Sequence, residues 1–156
     1  MKKLLLVLIA VIGITFAANA QNKAIGVRVG GGQGYGAELS YQQALGGPNR
    51  LEADLGFYGY STFGLVALYQ FHKDIPSVPN LGWYAGIGGR VIMYTGYGSY
   101  WTLGVAAQAG VDYNLQSIIN LPIQVSLDIR PYYYLYPTTY AHFYWGDIAL
   151  GVRWMF

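Results

Sequence analysis

The chain closes on the stretch 146-GDIALGVRWMF-156. Ile148, Leu150, Val152, Trp154 and Phe156 form a row of large apolar side chains, and Asp147, Ala149, Gly151, Arg153 and Met155 hold the positions between them. A period of two belongs to a β-strand, whose successive side chains project to opposite faces. One face of this strand is wholly apolar and the other carries an acid and a base. Which of the two faces is the inside decides the kind of protein.

The opposite end of the chain has to be separated first. In residues 1–20, MKKLLLVLIAVIGITFAANA, Lys2 and Lys3 are a basic start, Leu4 to Phe16 an apolar core, and Ala18-Asn19-Ala20 a small-residue cleavage site. That order describes a secretory signal peptide, and the apolar run is shorter than the roughly 20 residues that span a bilayer as a helix. Residues 21–156 are then expected to be exported and to form one domain. Setting Lys2 and Lys3 aside leaves seven basic residues against seven acidic ones. This near-neutral balance carries no basic patch for nucleic acid. With no cysteine, the chain has neither disulfides nor thiolate metal ligands, although an exported compartment would permit the former. Charge is scarce, while 22 glycines and 16 tyrosines are abundant. No later segment is apolar for long enough to make a transmembrane helix. A soluble all-β fold and a membrane β-barrel remain.

Alternation recurs from Ala24 onward and predicts eight strands. The first, about Lys23 to Gly31, sets Ile25, Val27 and Val29 against Gly26, Arg28 and Gly30. The second, Tyr35 to Leu45, sets Ala37, Leu39 and Tyr41 against Glu38, Ser40 and Gln42. The third, Arg50 to Tyr60, opposes Leu51, Ala53, Leu55 and Phe57 to Glu52, Asp54, Gly56 and Tyr58. The fourth, Phe63 to His72, has the weakest polar face. The fifth, Gly82 to Thr95, opposes Trp83, Ala85, Ile87, Val91 and Met93 to Tyr84, Gly86, Gly88 and Arg90. The sixth, Trp101 to Leu115, opposes Leu103, Val105, Ala107, Ala109 and Val111 to Thr102, Gly104, Gln108, Gly110 and Asp112. The seventh, Ile123 to about Tyr134, opposes Val125, Leu127 and Ile129 to Gln124, Ser126, Asp128 and Arg130. The eighth is the closing stretch.

Compared across the chain, the two faces are unlike those of a water-soluble sandwich. Glu38, Glu52, Asp54, Asp112, Asp128 and Asp147 share one face with Arg28, Arg90, Arg130 and Arg153, and that face is rich in glycine and poor in lysine. A solvated face uses lysine and glutamate liberally; arginine beside carboxylates and glycine suits a narrow enclosed space. The apolar face gathers Tyr41, Trp83, Trp101, Tyr113, Tyr133, Trp154 and Phe156 near strand ends, as interfacial girdles do. The expectation is therefore all-β: a closed eight-stranded antiparallel transmembrane β-barrel. Closure follows because an unpaired strand edge in hydrocarbon would leave backbone polar groups unsatisfied. Eight strands leave a lumen only wide enough for side chains, so the four arginines and six carboxylates are expected to form a hydrogen-bonded plug.

Connections follow from the segmentation. With the N-terminus inside, the outer loops are GGGQG, YSTF, TGYGSY and PTTYAH, and the inner turns are GGPN, KDIPSVPNL and QSIINLP. The longest is an inner one, against the usual pattern. Pro131 removes a ladder hydrogen bond, so a bulge or a strand end is expected beside it.

AIGVRVG, GWYAGIGGRV, LGVAAQAGVDYNLQSIINLPIQVSLDIRP and the closing ALGVRWMF together resemble the small outer-membrane β-barrel proteins common in Bacteroidetes, over nearly the whole chain after residue 20. The likeness implies a fold, a location in the cell outer membrane and outer-membrane lipid as surroundings. It also implies that Phe156, with Trp154 and Val152 behind it, is a signal read by the barrel-assembly machinery. It implies no reaction and no cofactor, and leaves the oligomeric state open.

Other constellations point to chemistry only weakly. Gly30 to Gly36, GGGQGYG, looks like a phosphate loop but is succeeded by alternating GAELSYQQ, not by the helix such a loop requires; a hairpin is expected. His72 and His142 are the only histidines and fall toward opposite ends of the barrel, so no shared metal site is expected. Some small outer-membrane barrels modify lipid A with a serine and a histidine, and Ser61, Ser99 or Ser126 would then have to approach His142; the interfacial reading of His142 is preferred, and no enzyme is expected. The tyrosine-rich PYYYLYPTTYAHFYW is read as an aromatic girdle before a ligand platform. The expected role is structural or envelope-interacting, with passage of small or hydrophobic compounds as the alternative.

Overall fold

Strands succeed one another in chain order and each pairs antiparallel with its neighbours: β1 (Lys23–Gly31), β2 (Tyr35–Gly46), β3 (Asn49–Tyr58), β4 (Thr62–Asp74), β5 (Leu81–Tyr94), β6 (Tyr100–Asn114), β7 (Ile123–Tyr136) and β8 (Phe143–Met155). A computed structural model of the chain describes residues 23–31, 35–59, 61–96, 98–137 and 142–156, and only the backbone of Gly31, Tyr35 and Asp147. The signal-peptide reading of residues 1–20 lies outside these, as do the centres of the GGGQG and PTTYAH loops. β1 closes the ring on β8, from Ala24 opposite Met155 to Gly31 opposite Ile148. The result is a closed eight-stranded antiparallel barrel. Its proximal end is the one where β1 begins and β8 finishes, and the other end is distal.

Closure turns the alternation into an inside and an outside, and burial follows it strand by strand. In β3, Glu52 and Asp54 are buried while Leu51 and Leu55 are exposed. In β8, Arg153 is 1 % exposed between Val152 at 42 % and Trp154 at 48 %. The charged face is therefore the lumen and the apolar face the outer wall, the inverse of a water-soluble fold. Exposed aromatic side chains lie toward both ends of that wall: Phe71, Trp83 and Trp154 proximally, and Phe57, Phe63, Trp101, Tyr136 and Phe143 distally. Ring contacts tie neighbours together, Phe71 to Trp83 and Trp101 to Tyr136 with centroids 5.7 and 4.9 Å apart. Aliphatic side chains, among them Val27, Leu39, Leu65, Ile87, Val105, Leu127 and Leu150, fill the band between.

The bulge expected beside Pro131 is present, and the two strands that carry it extend beyond their expected bounds. β7 neither ends there nor stops at Tyr134 but runs on to Tyr136, and β8 begins at Phe143, ahead of the expected Gly146. The ladder absorbs the proline by a register shift: Arg130 faces Asp147, but Tyr132 faces Tyr144. Gly146 takes up the extra residue with φ 88°, and a Cβ there would lie 1.7 Å from the Arg130 carbonyl oxygen. Only glycine fits such a bulge. The β2–β3 connection is tight, with Gly46 and Gly47 both at positive φ. Of the longer proximal connections, the one after β6 winds into a single helical turn, α1 (Gln116–Ile119), which sequence periodicity did not reveal.

Candidate functional site

The lumen is the part of the molecule where chemistry-bearing residues converge, because a period of two on eight tilted strands sends alternate side chains into one narrow space. Arg130 from β7 lies at its centre, fully buried. Its Nη1 donates to Glu38 Oε2 on β2 at 2.9 Å, and its Nη2 to Glu52 Oε1 on β3 at 2.9 Å and to Asp54 on the same strand. Arg28 on β1 shares Glu38 Oε2 through Nη1 at 2.9 Å and donates through Nη2 to Asp128 Oδ1 on β7 at 2.6 Å. Arg153 on β8 reaches Glu52 Oε2 at 3.3 Å, Ser40 Oγ at 2.9 Å and Ser126 Oγ at 2.7 Å. Arg28 with Glu38 and Arg153 with Ser126 join adjacent strands. The bonds from Arg130 to Glu38, Glu52 and Asp54, from Arg28 to Asp128, and from Arg153 to Glu52 and Ser40 cross the lumen between strands that are not neighbours in the sheet, and so lock the cross-section. Buried ions are costly to desolvate and are held only when several charge-assisted hydrogen bonds offset that cost.

Residues that the charge pattern did not single out complete the network. Glu52 also accepts from Gln42 Nε2 at 2.5 Å and Gln108 Nε2 at 3.0 Å. Tyr84 donates its hydroxyl to Asp128 Oδ2 at 3.0 Å, and Tyr58 donates to Glu38. Nearer the proximal end, Arg50 donates Nε to Gln70 Oε1 at 2.6 Å and Nη1 to Asp112 Oδ2 at 2.9 Å, while His72 Nε2 lies 3.0 Å from Asp112 Oδ1. Arg50 shares the parity of Glu52 and Asp54, and that parity was the available signal.

Arg90 is placed differently from the other lumen arginines. Its guanidinium lies over the Tyr132 ring at 4.1 Å and beside Tyr58 at 5.5 Å, in cation–π geometry. It borders a distal apolar cluster of Val66, Leu68, Ile92, Ala106, Tyr132 and Tyr134, against which Tyr58, Tyr94 and Tyr144 pack. Tyr132 stacks on Tyr144 with centroids 5.2 Å apart. The lumen thus has an ionic layer and an aromatic one. Asp147, expected in the network, has a described backbone opposite Arg130, and its side chain lies outside the described residues.

The other sequence candidates separate in space. Gly31 pairs with Tyr35 and Gly30 with Gly36, and the chain continues from there as strand β2, so no helix stands behind the glycine run. His72 is near the proximal end of β4 and His142 precedes β8 at the distal end. Ser126 does not reach the distal rim: it is buried three residues from the proximal start of β7, held by Arg153. Ser61 stays in the distal β3–β4 connection, and its carbonyl oxygen accepts from Thr95. Among the described residues no group of three or more His, Asp or Glu side chains is placed to hold a metal ion. Val152 and Trp154 project outward from β8, and Phe156 is bonded back to Lys23 through both backbone groups, at 2.9 and 3.2 Å.

Compared with known proteins, the chain matches no family model and no curated protein. Among solved structures it is similar to Neisserial surface protein A, NspA, with a TM-score of 0.60 at 14 % identity over 86 % of this chain and 95 % of that one. It is similar also to the de novo designed TMB2.3, with a TM-score of 0.58 at 14 % identity over 89 % and 97 %. At such identity the likeness speaks for the fold alone, a small eight-stranded barrel.

Proposed function

We propose that the chain is a small β-barrel protein of the cell outer membrane, of the kind common in Bacteroidetes, with a plugged lumen and a structural or envelope-interacting role. The observation that carries this reading is the inversion of burial in a closed ring: arginines and carboxylates interlocked inside, and aliphatic side chains flanked by aromatic ones outside. A wall of that composition matches hydrocarbon with two interfaces. Cells expressing the protein should yield it in the outer-membrane fraction as a species whose gel mobility changes on heating; recovery as a soluble periplasmic product would overturn the reading. In planar bilayers the folded protein should give no steady ion conductance.

Outer-membrane lipid and the barrel-assembly machinery are the partners this reading requires. Phe156, Trp154 and Val152 serve as the assembly signal, supported by the place of Val152 and Trp154 on the strand that closes the ring and of Phe156 directly after it, bonded to Lys23. Phe156→Ser should reduce assembly in cells while leaving refolding into lipid vesicles intact.

One observation favours passage of hydrophobic compounds as a second reading. A groove of about 120 Å³ on the outer wall, lined by Ile87, Val105, Ala107 and Pro131, also touches Ala106 and Tyr132 of the lumen cluster. It lies where Pro131 disturbs the ladder. Uptake of a hydrophobic probe that falls when Arg90 or Arg130 is replaced would favour this role over the structural one.

A further inference from the structure

The proximal end of the lumen holds a cavity that neither the plug nor the wall explains. It measures about 170 Å³, and Lys23, Gln42, Arg50, His72, Gln124 and Met155 contribute to its lining. His72, Gln124 and Met155 also line a larger neighbour of about 480 Å³, which lies beneath the β4–β5 turn at Pro76 to Asn80. The inner cavity is therefore adjacent to space at the mouth of the barrel.

Its polar lining is unevenly satisfied. Arg50 is only 7 % exposed and has Nε on Gln70, Nη1 on Asp112 and its flat face over Tyr84 at 4.6 Å. Its Nη2 makes no hydrogen bond among the described residues, and neither does Oε1 of Gln124, a residue 9 % exposed. Lys23, 5 % exposed, brings a second cationic side chain to the same lining. Among the described residues no carboxylate lines the inner cavity; Asp112 and Asp74 line the outer one, and Asp112 is already shared by Arg50 and His72. A buried guanidinium nitrogen without an acceptor is costly, and an oxyanion supplies the acceptor and the counter-charge together.

We infer that this proximal cavity binds a small oxyanion, a phosphate or carboxylate group, through Arg50 Nη2 and the Lys23 ammonium, with Gln124 completing the contact. Gln124 can offer its oxygen to the P–OH of hydrogen phosphate, or turn its amide to donate to a carboxylate. Because two nitrogens of Arg50 are already engaged, the contact is single-pronged, unlike a bidentate arginine clamp. The site goes beyond the proposed envelope role and holds whichever solution the proximal end faces.

The test is a titration of the folded chain in detergent micelles with inorganic phosphate and, separately, with acetate, monitored by NMR at the Arg50 Nε–H and the His72 ring. Saturable shifts are expected with at least one of the two, and which one responds assigns the phosphate or the carboxylate class. Arg50→Gln, read at His72, and Lys23→Gln, which leaves the Arg50–Asp112 pair in place, should each raise the dissociation constant about tenfold, or about 1.4 kcal/mol. Lys73→Gln, which removes an exposed ammonium outside the cavity, should leave it unchanged. No saturable shift with either anion, undiminished binding in Lys23→Gln, or an equal loss in Lys73→Gln would overturn the assignment.

Discussion

The ionic and aromatic layers of the lumen fill the same narrow space by opposite means. Around Arg130, three carboxylates from two strands converge on one guanidinium, so each partner depends on a small number of directed bonds. Around Tyr132 the contacts are ring faces and edges, to Tyr134, Tyr144 and Arg90, and these tolerate small displacements. The first arrangement fixes which strands lie across from one another. The second fills volume beside a bulged segment, where the Pro131 irregularity makes strict hydrogen-bond geometry harder to keep. Breaking one buried ion pair strands the remaining charge, whereas trimming an apolar side chain leaves a cavity into which neighbours can partly relax.

That contrast sets an order of effects, to be measured as stability against urea for protein folded in lipid vesicles. Arg130→Met should cost most, about 3–5 kcal/mol, and adding Asp54→Asn to it should restore part of the loss by removing one stranded carboxylate. Leu68→Ala, in the apolar cluster, should cost about 3 kcal/mol, with no restoration from any charge change. Moving arginine from the inside of β8 to its outside sharpens the point: Leu150→Arg should cost about 2–4 kcal/mol if that face meets hydrocarbon at mid-depth, although Arg153 three residues away is accommodated. His142→Ala, an exposed position at the distal rim, should change stability by less than about 0.5 kcal/mol and leave the lipid A profile of the cells unaltered.

The two layers were also unequally legible in the sequence. Arg28, Glu38, Glu52, Asp54, Asp128 and Arg153 announce an inside because each interrupts an apolar alternation, and a period of two then fixes the face without further information. Arg50 shares that parity, but it stands beside the GGPN turn, where the strand had too few flanking residues to define faces. The aromatic layer gave no such signal. Through the middle of β4 both faces are apolar, so Val66 and Leu68 point inward without differing in kind from Leu65 and Ala67 outside. The same holds for Tyr132 and Tyr134 against Tyr133 and Leu135 in β7. The bulge could be placed but not described: Pro131 marks where the ladder must adjust, while Gly146, the residue that adjusts, becomes recognisable only once β8 lies beside β7. Contacts that cross the lumen, such as Arg50 with Asp112 or Arg153 with Ser40, join residues far apart in the chain, and no local pattern encodes them.

The central claim, that the charged face is enclosed and the apolar face meets lipid, is tested most directly by adjacent single cysteines in a chain that has none of its own. Leu127 is exposed and Ser126 buried on the same strand. A fluorophore on Leu127→Cys in folded, vesicle-embedded protein should be quenched by lipid-borne quenchers and shielded from aqueous ones, while Ser126→Cys in the folded barrel should resist labelling from either side. A Leu127→Cys label quenched from water, with Ser126→Cys open to reagent, would contradict the account.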